Sequence, residues 1–214
     1  MRSDLLLTCI AAPLLAVFLL RGKPRRLFSA VLGGMLAAFL CGSISGALRG
    51  LVRCDAMTAV LYISPAVEEG LKLALFLLFL FACRLPDRAL PEIAVAIGVG
   101  FATMESVALQ FTASDATVLA LFARIFCSAL IHVACALMLV VAVRWVRRLA
   151  LETVSGLLGV YAATVTVHAL YNLLVSGELA ARVLGYLFPA ALIVIWRSRL
   201  SAGETKGGAD CADV

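Results

Sequence analysis

Eight polar or ionisable residues lie inside long apolar stretches of this chain, where such side chains are costly. A charge at the centre of a lone membrane helix costs about 2.5 to 3.5 kcal/mol on insertion scales, whereas each leucine or phenylalanine contributes only about half a kcal/mol. We therefore expect these side chains to face away from lipid and to contact one another or water. They are Glu68, Glu69, Lys72, Glu105, Arg124, His132, His168 and Asn172.

Carboxylates and imidazoles held together in this way can activate water. Peptide hydrolysis needs a base that removes a proton from water and donors that stabilise the tetrahedral oxyanion, and the set contains both kinds of group. Intramembrane carboxylates and histidines also form proton relays. Two or three glutamates and two histidines could instead ligate zinc, although the chain has no HExxH motif. The residue types therefore indicate hydrolysis, proton transfer or metal binding.

The polar residues are spaced so that they share helix faces. Glu68 precedes Lys72 by four residues, which is the favourable order for an ion pair along a helix. Two further stripes repeat at intervals of three or four residues, which places each on one side of a helix. They are Arg124, Ser128 and His132, and Tyr161, Thr164, His168 and Asn172. Three stripes on three helices predict one shared interior site.

The composition indicates that lipid surrounds the elements that carry this site. Of 214 residues, 64% are hydrophobic and 14% are charged, against roughly 45 to 50% apolar residues in a soluble domain. Continuous apolar segments of about 20 residues predict helices rather than a membrane barrel, whose strands would alternate. We predict an all-α integral membrane protein with about seven transmembrane helices, at 5–20, 27–48, 58–83, 89–111, 116–143, 149–175 and 182–196. These form a single domain, residues 1–200, with a catalytic core at about 58–175 and a disordered tail, 201–214.

The lysines and arginines between the predicted helices indicate the orientation of the chain. If the "RGKPRR" loop is cytoplasmic, twelve cations lie inside and four outside, which predicts an outside N-terminus and a cytoplasmic C-terminus. This distribution explains the net charge of +5 without a nucleic acid partner. We expect a multi-pass protein of the plasma (inner) membrane. At 1.5 Å per residue, Glu105 then lies about 9 Å below the outer face, His168 about 10 Å, Glu68 about 15 Å and His132 about 24 Å.

Neither the cysteines nor the spaced glycines of the chain predict a further site. None of the seven cysteines forms a CxxC pair, so we interpret them as small hydrophobic residues rather than zinc ligands or disulfides. Gly42, Gly46 and Gly50 have the spacing of small residues that pack helices in membranes.

Four sequence motifs resemble those of the PrsW family of intramembrane proteases, which is grouped with the CAAX prenyl proteases and bacteriocin-processing enzymes. The motifs occur in the family's order, each in its own apolar segment: EEGLK (68–72), FATME (101–105), ARIFCSALIH (123–132) and HALYN (168–172). Compared with the wider superfamily, Lys72 stands one residue early in place of an arginine, and Glu105 stands where histidine is usual. Both differences fit the PrsW branch.

The resemblance implies roles for these residues. Glu68 would be the general base and Glu105 would help to hold the water. His168 and Asn172 would stabilise the oxyanion. Glu69 and Lys72 would orient the base, His132 would belong to the catalytic set, and Arg124 would supply supporting charge. No cofactor is expected; if zinc were bound, its ligands would be Glu68, Glu105, His132 and His168.

The resemblance also implies a substrate: a membrane-anchored protein, such as an anti-sigma factor, cut in the outer half of the membrane. The sequence leaves the oligomeric state open. Two other classes of function stay open as well. One is a proton-coupled transporter or channel, although the predicted helices do not divide into two equal inverted halves. The other is a non-catalytic scaffold with a polar core.

Overall fold

The computed structural model describes residues 3–110, 117–148 and 154–209, and all regular structure within them is helical. Two short irregular helices occur, a π-helical turn at Ala59–Ile63 and a 3-10 turn at Asp87–Ala89. The α-helices of these residues are α1 (Ser3–Leu19), α2 (Gly22–Val52), α3 (Ala56–Thr58), α4 (Ser64–Ala82), α5 (Leu90–Gln110), α6 (Val118–Arg148), α7 (Val154–Ser176) and α8 (Leu179–Ala209).

The seven long helices lie where the seven membrane helices are predicted. Within the described residues, α2, α5, α6, α7 and α8 contain segments long and apolar enough to cross a membrane. The α4 helix carries three charged residues, and α1 has only a shorter apolar part, Cys9–Leu19. The all-α membrane fold is therefore confirmed, whereas seven crossings and the orientation stay predictions. The predicted helix starts at 116 and 149 lie outside the described residues, as do residues 210–214 of the predicted tail.

The third predicted helix is irregular near its start. Asp55 caps α3 by accepting hydrogen bonds from the backbone N–H and the hydroxyl of Thr58, and the π-helical turn then leads into α4. Pro65 stands in the first turn of α4 and has no N–H to donate back along the chain, so the regular hydrogen-bond pattern is interrupted here. π-Helical turns of this kind are frequent at functional sites.

The α5 helix lies at the centre of the bundle, packed most extensively against α2 and next against α6. Glycines allow the close approach of α2 and α5: a Cβ on Gly34 would collide with the backbone at Ile97, and one on Gly100 with the backbone at Val31. The predicted packing role of the Gly42, Gly46 and Gly50 series finds no support among the described residues, where a Cβ at any of the three would meet nothing within 4 Å.

Candidate active site

A buried ion pair between Glu69 and Lys72 stands at the centre of the site. Lys72 Nζ lies 2.5 Å from Glu69 Oε1, and the two side chains are 1% and 0% exposed. The sequence predicted that Lys72 would pair with Glu68, four residues earlier. The structure pairs it with the glutamate three residues earlier, because Glu69 points into the bundle towards the same side as Lys72. Glu68 is thereby left without a lysine partner.

His132 connects this pair to Glu105. Lys72 Nζ donates to His132 Nδ1 at 3.1 Å, and His132 Nε2 donates to Glu105 Oε2 at 2.5 Å. A lysine can only donate, so His132 accepts at Nδ1 and carries its proton on Nε2. Ser128, one turn earlier on α6, also donates to Glu105 Oε2, at 2.8 Å. His132, predicted to lie much deeper than the other site residues, is therefore part of the same cluster.

His168 joins α7 to both glutamates of α4. Its Nδ1 donates to Glu69 Oε1 at 2.6 Å, and its Nε2 lies 3.6 Å from Glu68 Oε2. The ring contacts His132 edge-on, with the ring centroids 5.2 Å apart. On the same face of α7, Tyr161 donates its hydroxyl to the backbone oxygen of Ala66 at 2.9 Å, which fixes α7 against the start of α4.

The contacts of the two histidines limit where protons lie in this network. His168 Nδ1 lies 2.6 Å from Glu69 Oε1 and its Nε2 lies 3.6 Å from Glu68 Oε2, so a proton on this ring would face a carboxylate on each side. His132 is occupied as a neutral donor to Glu105 and acceptor from Lys72. Of the two histidines, His168 is therefore the one placed to carry an additional proton.

A cavity of about 580 Å³ lies beside the network. It is found at one end of the bundle, where α4, α6 and α8 begin and α5 and α7 end, which is the outer side in the predicted orientation. Glu68 and Glu105 both line it, whereas the Glu69–Lys72 pair lies behind them. Glu68 Oε2 has no hydrogen-bond partner among the described residues. The other polar side chains on the wall are Ser64, Arg124, Ser128, Tyr171, Asn172, Ser176, Arg182 and Tyr186.

Arg124 and Asn172 take positions on this wall outside the buried network. Asn172 donates one Nδ2 hydrogen to the backbone oxygen of Val60 at 3.0 Å, in the π-helical turn, and its second Nδ2 hydrogen is not used by that bond. Arg124 is exposed and is not ion-paired with any described residue. The structure thus brings Glu68, Glu69, Lys72, Glu105, His132 and His168 together, and places Arg124 and Asn172 at the edge of the cavity.

Two residues of the site have features that sequence reasoning passed over. Ser128 appears in a predicted polar stripe, yet its bond to Glu105 depends on how α5 packs against α6, which spacing within α6 does not reveal. Cys135 is fully buried against Glu69 and His168, and its thiol lies 4.0 Å from the backbone oxygen of Thr164. The sequence does contain an indication of this position, because Cys135 follows His132 by three residues and so lies on the same side of α6.

The donor set fits a metal ion in type. Glu68, His132 and His168 each offer a ligand atom within 4.8 Å of the others, and so do Glu69, Cys135 and His168. A set of two histidines and one glutamate matches that of catalytic zinc sites. The unpartnered Glu68 Oε2 and the Glu69 carboxylate behind His168 Nδ1 also suit such a site, since carboxylates commonly orient metal-binding histidines. Glu105, the fourth predicted ligand, is in neither group.

Comparison with known proteins gives a family for the chain. A match to the family described as PrsW family intramembrane metalloprotease covers residues 8–197. No curated protein and no solved structure matches the chain. The match covers most of the chain and all four motifs of the site. The chain therefore belongs to the PrsW family of intramembrane metalloproteases.

Proposed function

We propose that this intramembrane protease cleaves a membrane-anchored protein with a water molecule activated by Glu68. The observation that carries the proposal is the contrast between the adjacent glutamates. Glu69 is held through Oε1 by Lys72 and His168 and lies behind the cavity wall, whereas Glu68 lines the cavity and has only a 3.6 Å contact with His168. A general base must lie within reach of the proton it removes, and of the two adjacent glutamates only Glu68 lies on the cavity.

The reaction begins when a substrate segment places its scissile carbonyl in the cavity. Glu68 takes a proton from the water as the water oxygen bonds to the carbonyl carbon, and Glu105, on the same wall, orients that water. The oxyanion is stabilised by the second Nδ2 hydrogen of Asn172 and by protonated His168. The proton held by Glu68 then passes to the leaving amine as the C–N bond breaks, which restores the carboxylate.

The buried residues position these groups. Glu69 accepts from His168 Nδ1 and so directs His168 Nε2 towards Glu68. Lys72 donates hydrogen bonds to Glu69 and His132. His132 and Ser128 in turn fix the orientation of the Glu105 carboxylate. Pre-positioned groups of this kind supply much of the rate enhancement in hydrolytic sites.

Metal-dependent hydrolysis is the second candidate, and the cluster of Glu68, His132 and His168 favours it. These three residues would hold the ion, which would lower the pKa of a bound water and polarise the carbonyl. His132 would first have to release its hydrogen bond to Glu105, since both of its ring nitrogens are engaged. The two candidates assign different tasks to the same residues, and metal removal distinguishes them.

The proposed substrate is a single-span protein cut in the outer half of the membrane, and membrane-bound anti-sigma factors are the class to examine first. The wild type would be co-expressed with candidate single-span proteins, beside Glu68→Gln, Glu105→Gln and His168→Gln variants. We expect a fragment that wild type produces and that the three site variants do not. Glu92→Gln is the matched control and should cleave like wild type, because Glu92 pairs with Lys23 at the other end of the bundle. Cleavage by the three site variants at the rate of wild type would overturn the proposal.

A further inference from the structure

Arg124 is the cation of the cavity wall that the proposed reaction does not use. It lies on α6 within a segment long and apolar enough to cross a membrane, where an unpaired guanidinium is costly. Its side chain is exposed on the cavity. No described carboxylate forms an ion pair with it. The fold therefore keeps a guanidinium available to the interior of the cavity.

Neutralisation of the catalytic glutamates does not explain this arrangement. Glu105 already accepts hydrogen bonds from His132 and Ser128. Glu68 retains an unpartnered oxygen although Arg124 lines the same cavity. Arg182 adds a second guanidinium to the wall. Its Nη2 donates a hydrogen bond to the backbone oxygen of Gly177 at 3.2 Å. The cavity thus has an acidic part at the two glutamates and a basic part at the two arginines.

We propose that Arg124 binds a carboxylate of the substrate. Guanidinium groups recognise carboxylates through paired, charge-assisted hydrogen bonds. Glu68 and Glu105 would repel such a carboxylate. A substrate that has a carboxylate at this point would therefore bind in one defined register in the cavity. This inference rests on the proposed function, because it assigns a substrate feature to the same site.

Helix geometry gives the position of that carboxylate. Arg124 stands four residues from Ser128, the residue bonded to Glu105, which is about 6 Å along α6. An extended substrate advances about 3.3 Å per residue. With the length of the arginine side chain added, the carboxylate falls about two to four residues from the scissile bond. It can come from an acidic side chain or from a C-terminal carboxylate of a short substrate.

The test uses a single-span reporter that carries glutamate, glutamine or lysine at each position on both sides of the cleaved bond. We expect wild type to cut the best glutamate reporter at least about tenfold faster than its glutamine partner, the size typical of a charge-assisted contact. Arg124→Gln should bring this ratio close to one, and Arg124→Lys should restore part of it. Two further reporters end at the same position, one with a free C-terminal carboxylate and one with an amide. A difference in their cleavage rates shows whether Arg124 binds a C-terminal carboxylate rather than an acidic side chain.

A control variant and a second measurement distinguish a failure of the carboxylate subsite at Arg124 from a failure of the proposed function. Arg49→Gln removes an exposed cation from the end of α2, on the same predicted outer side but away from the cavity, and should leave the ratio as in wild type. Photo-crosslinking of the same reporters to the Glu68→Gln protein measures the preference without cleavage. Equal crosslinking of glutamate and glutamine reporters, or a preference that survives Arg124→Gln, overturns the subsite. Preferential crosslinking without any cleavage by wild type supports the subsite and overturns the proposed function.

Discussion

His168 on α7 is hydrogen-bonded through Nδ1 to Oε1 of Glu69 on α4, at 2.6 Å, and neither side chain is more than 3% exposed. The same Glu69 oxygen receives Lys72 at 2.5 Å. One buried carboxylate oxygen therefore holds together two helices and orients the histidine that faces Glu68. Stability and catalysis are expected to depend on the same atom.

Removing one partner of the buried pair should destabilise the fold strongly. Lys72→Met leaves the Glu69 carboxylate buried without its cation, and loss of one partner of such a pair typically costs about 3 to 5 kcal/mol. Thermal unfolding in detergent should show a large drop in Tm. The Glu69→Gln/Lys72→Met double variant should recover part of that loss, because no uncompensated charge remains. A double variant less stable than Lys72→Met would contradict this account.

Loss of the Ser128 hydroxyl should impair catalysis more than folding. Ser128→Ala removes one donor from Glu105 Oε2 and leaves the bond from His132 to the same oxygen, so the carboxylate stays paired but is less well oriented. Because misplacement of a reacting group lowers rate steeply, we expect kcat to fall about tenfold or more and Tm to change less than in Lys72→Met. Thr166→Ala is the matched control, since that exposed hydroxyl bonds only to its own helix, at the backbone oxygen of Ala162.

A methyl group at Gly98 should disturb the contact between α5 and α6. An added Cβ would lie 2.9 Å from the backbone oxygen of His132, so one helix must move, and overpacking of this kind typically costs about 1 to 3 kcal/mol. Gly98→Ala should lower both Tm and activity, because the movement separates His132 from Glu105. Gly46→Ala, where a Cβ meets nothing within 4 Å, should change neither. Full activity in Gly98→Ala would show that the spacing of α5 and α6 is not critical.

Metal removal separates the two candidate mechanisms. With Glu68 as the base, purified protein treated with EDTA or 1,10-phenanthroline and then dialysed should keep its activity. Activity that disappears after this treatment and returns with added zinc would support the metal-dependent alternative. Metal content measured by mass spectrometry before and after treatment shows whether removal was complete.

The sequence predicts the helical membrane fold and the set of site residues because burying charge in apolar segments is costly. That cost requires Glu68, Glu105 and His168 to meet, whatever the details of packing. It was harder to predict from the sequence which residues form ion pairs with one another. The sequence suggested Glu68 as the partner of Lys72 from spacing alone, whereas the structure selects Glu69, because the direction of each side chain depends on the rotation of α4 against α7.

Other features depend on contacts between helices that no local pattern contains. The position of His132 could not be calculated from the predicted start of its helix, since an error of one turn moves it by about 5 Å. For the same reason, the sequence does not show which glycines allow two helices to pack closely. Gly42 and Gly46 have suitable spacing, but no described atom lies within 4 Å of a Cβ at either position, whereas Gly34 and Gly100 lie where α2 and α5 meet.

Cleavage by purified protein in proteoliposomes tests the central claim most directly. Wild type and Glu68→Gln would be reconstituted with one single-span reporter, after thermal unfolding has shown that both are folded. We predict that wild type releases a single defined fragment and that Glu68→Gln releases none above background. Cleavage at an undiminished rate by folded Glu68→Gln would contradict the assignment of Glu68 as the base.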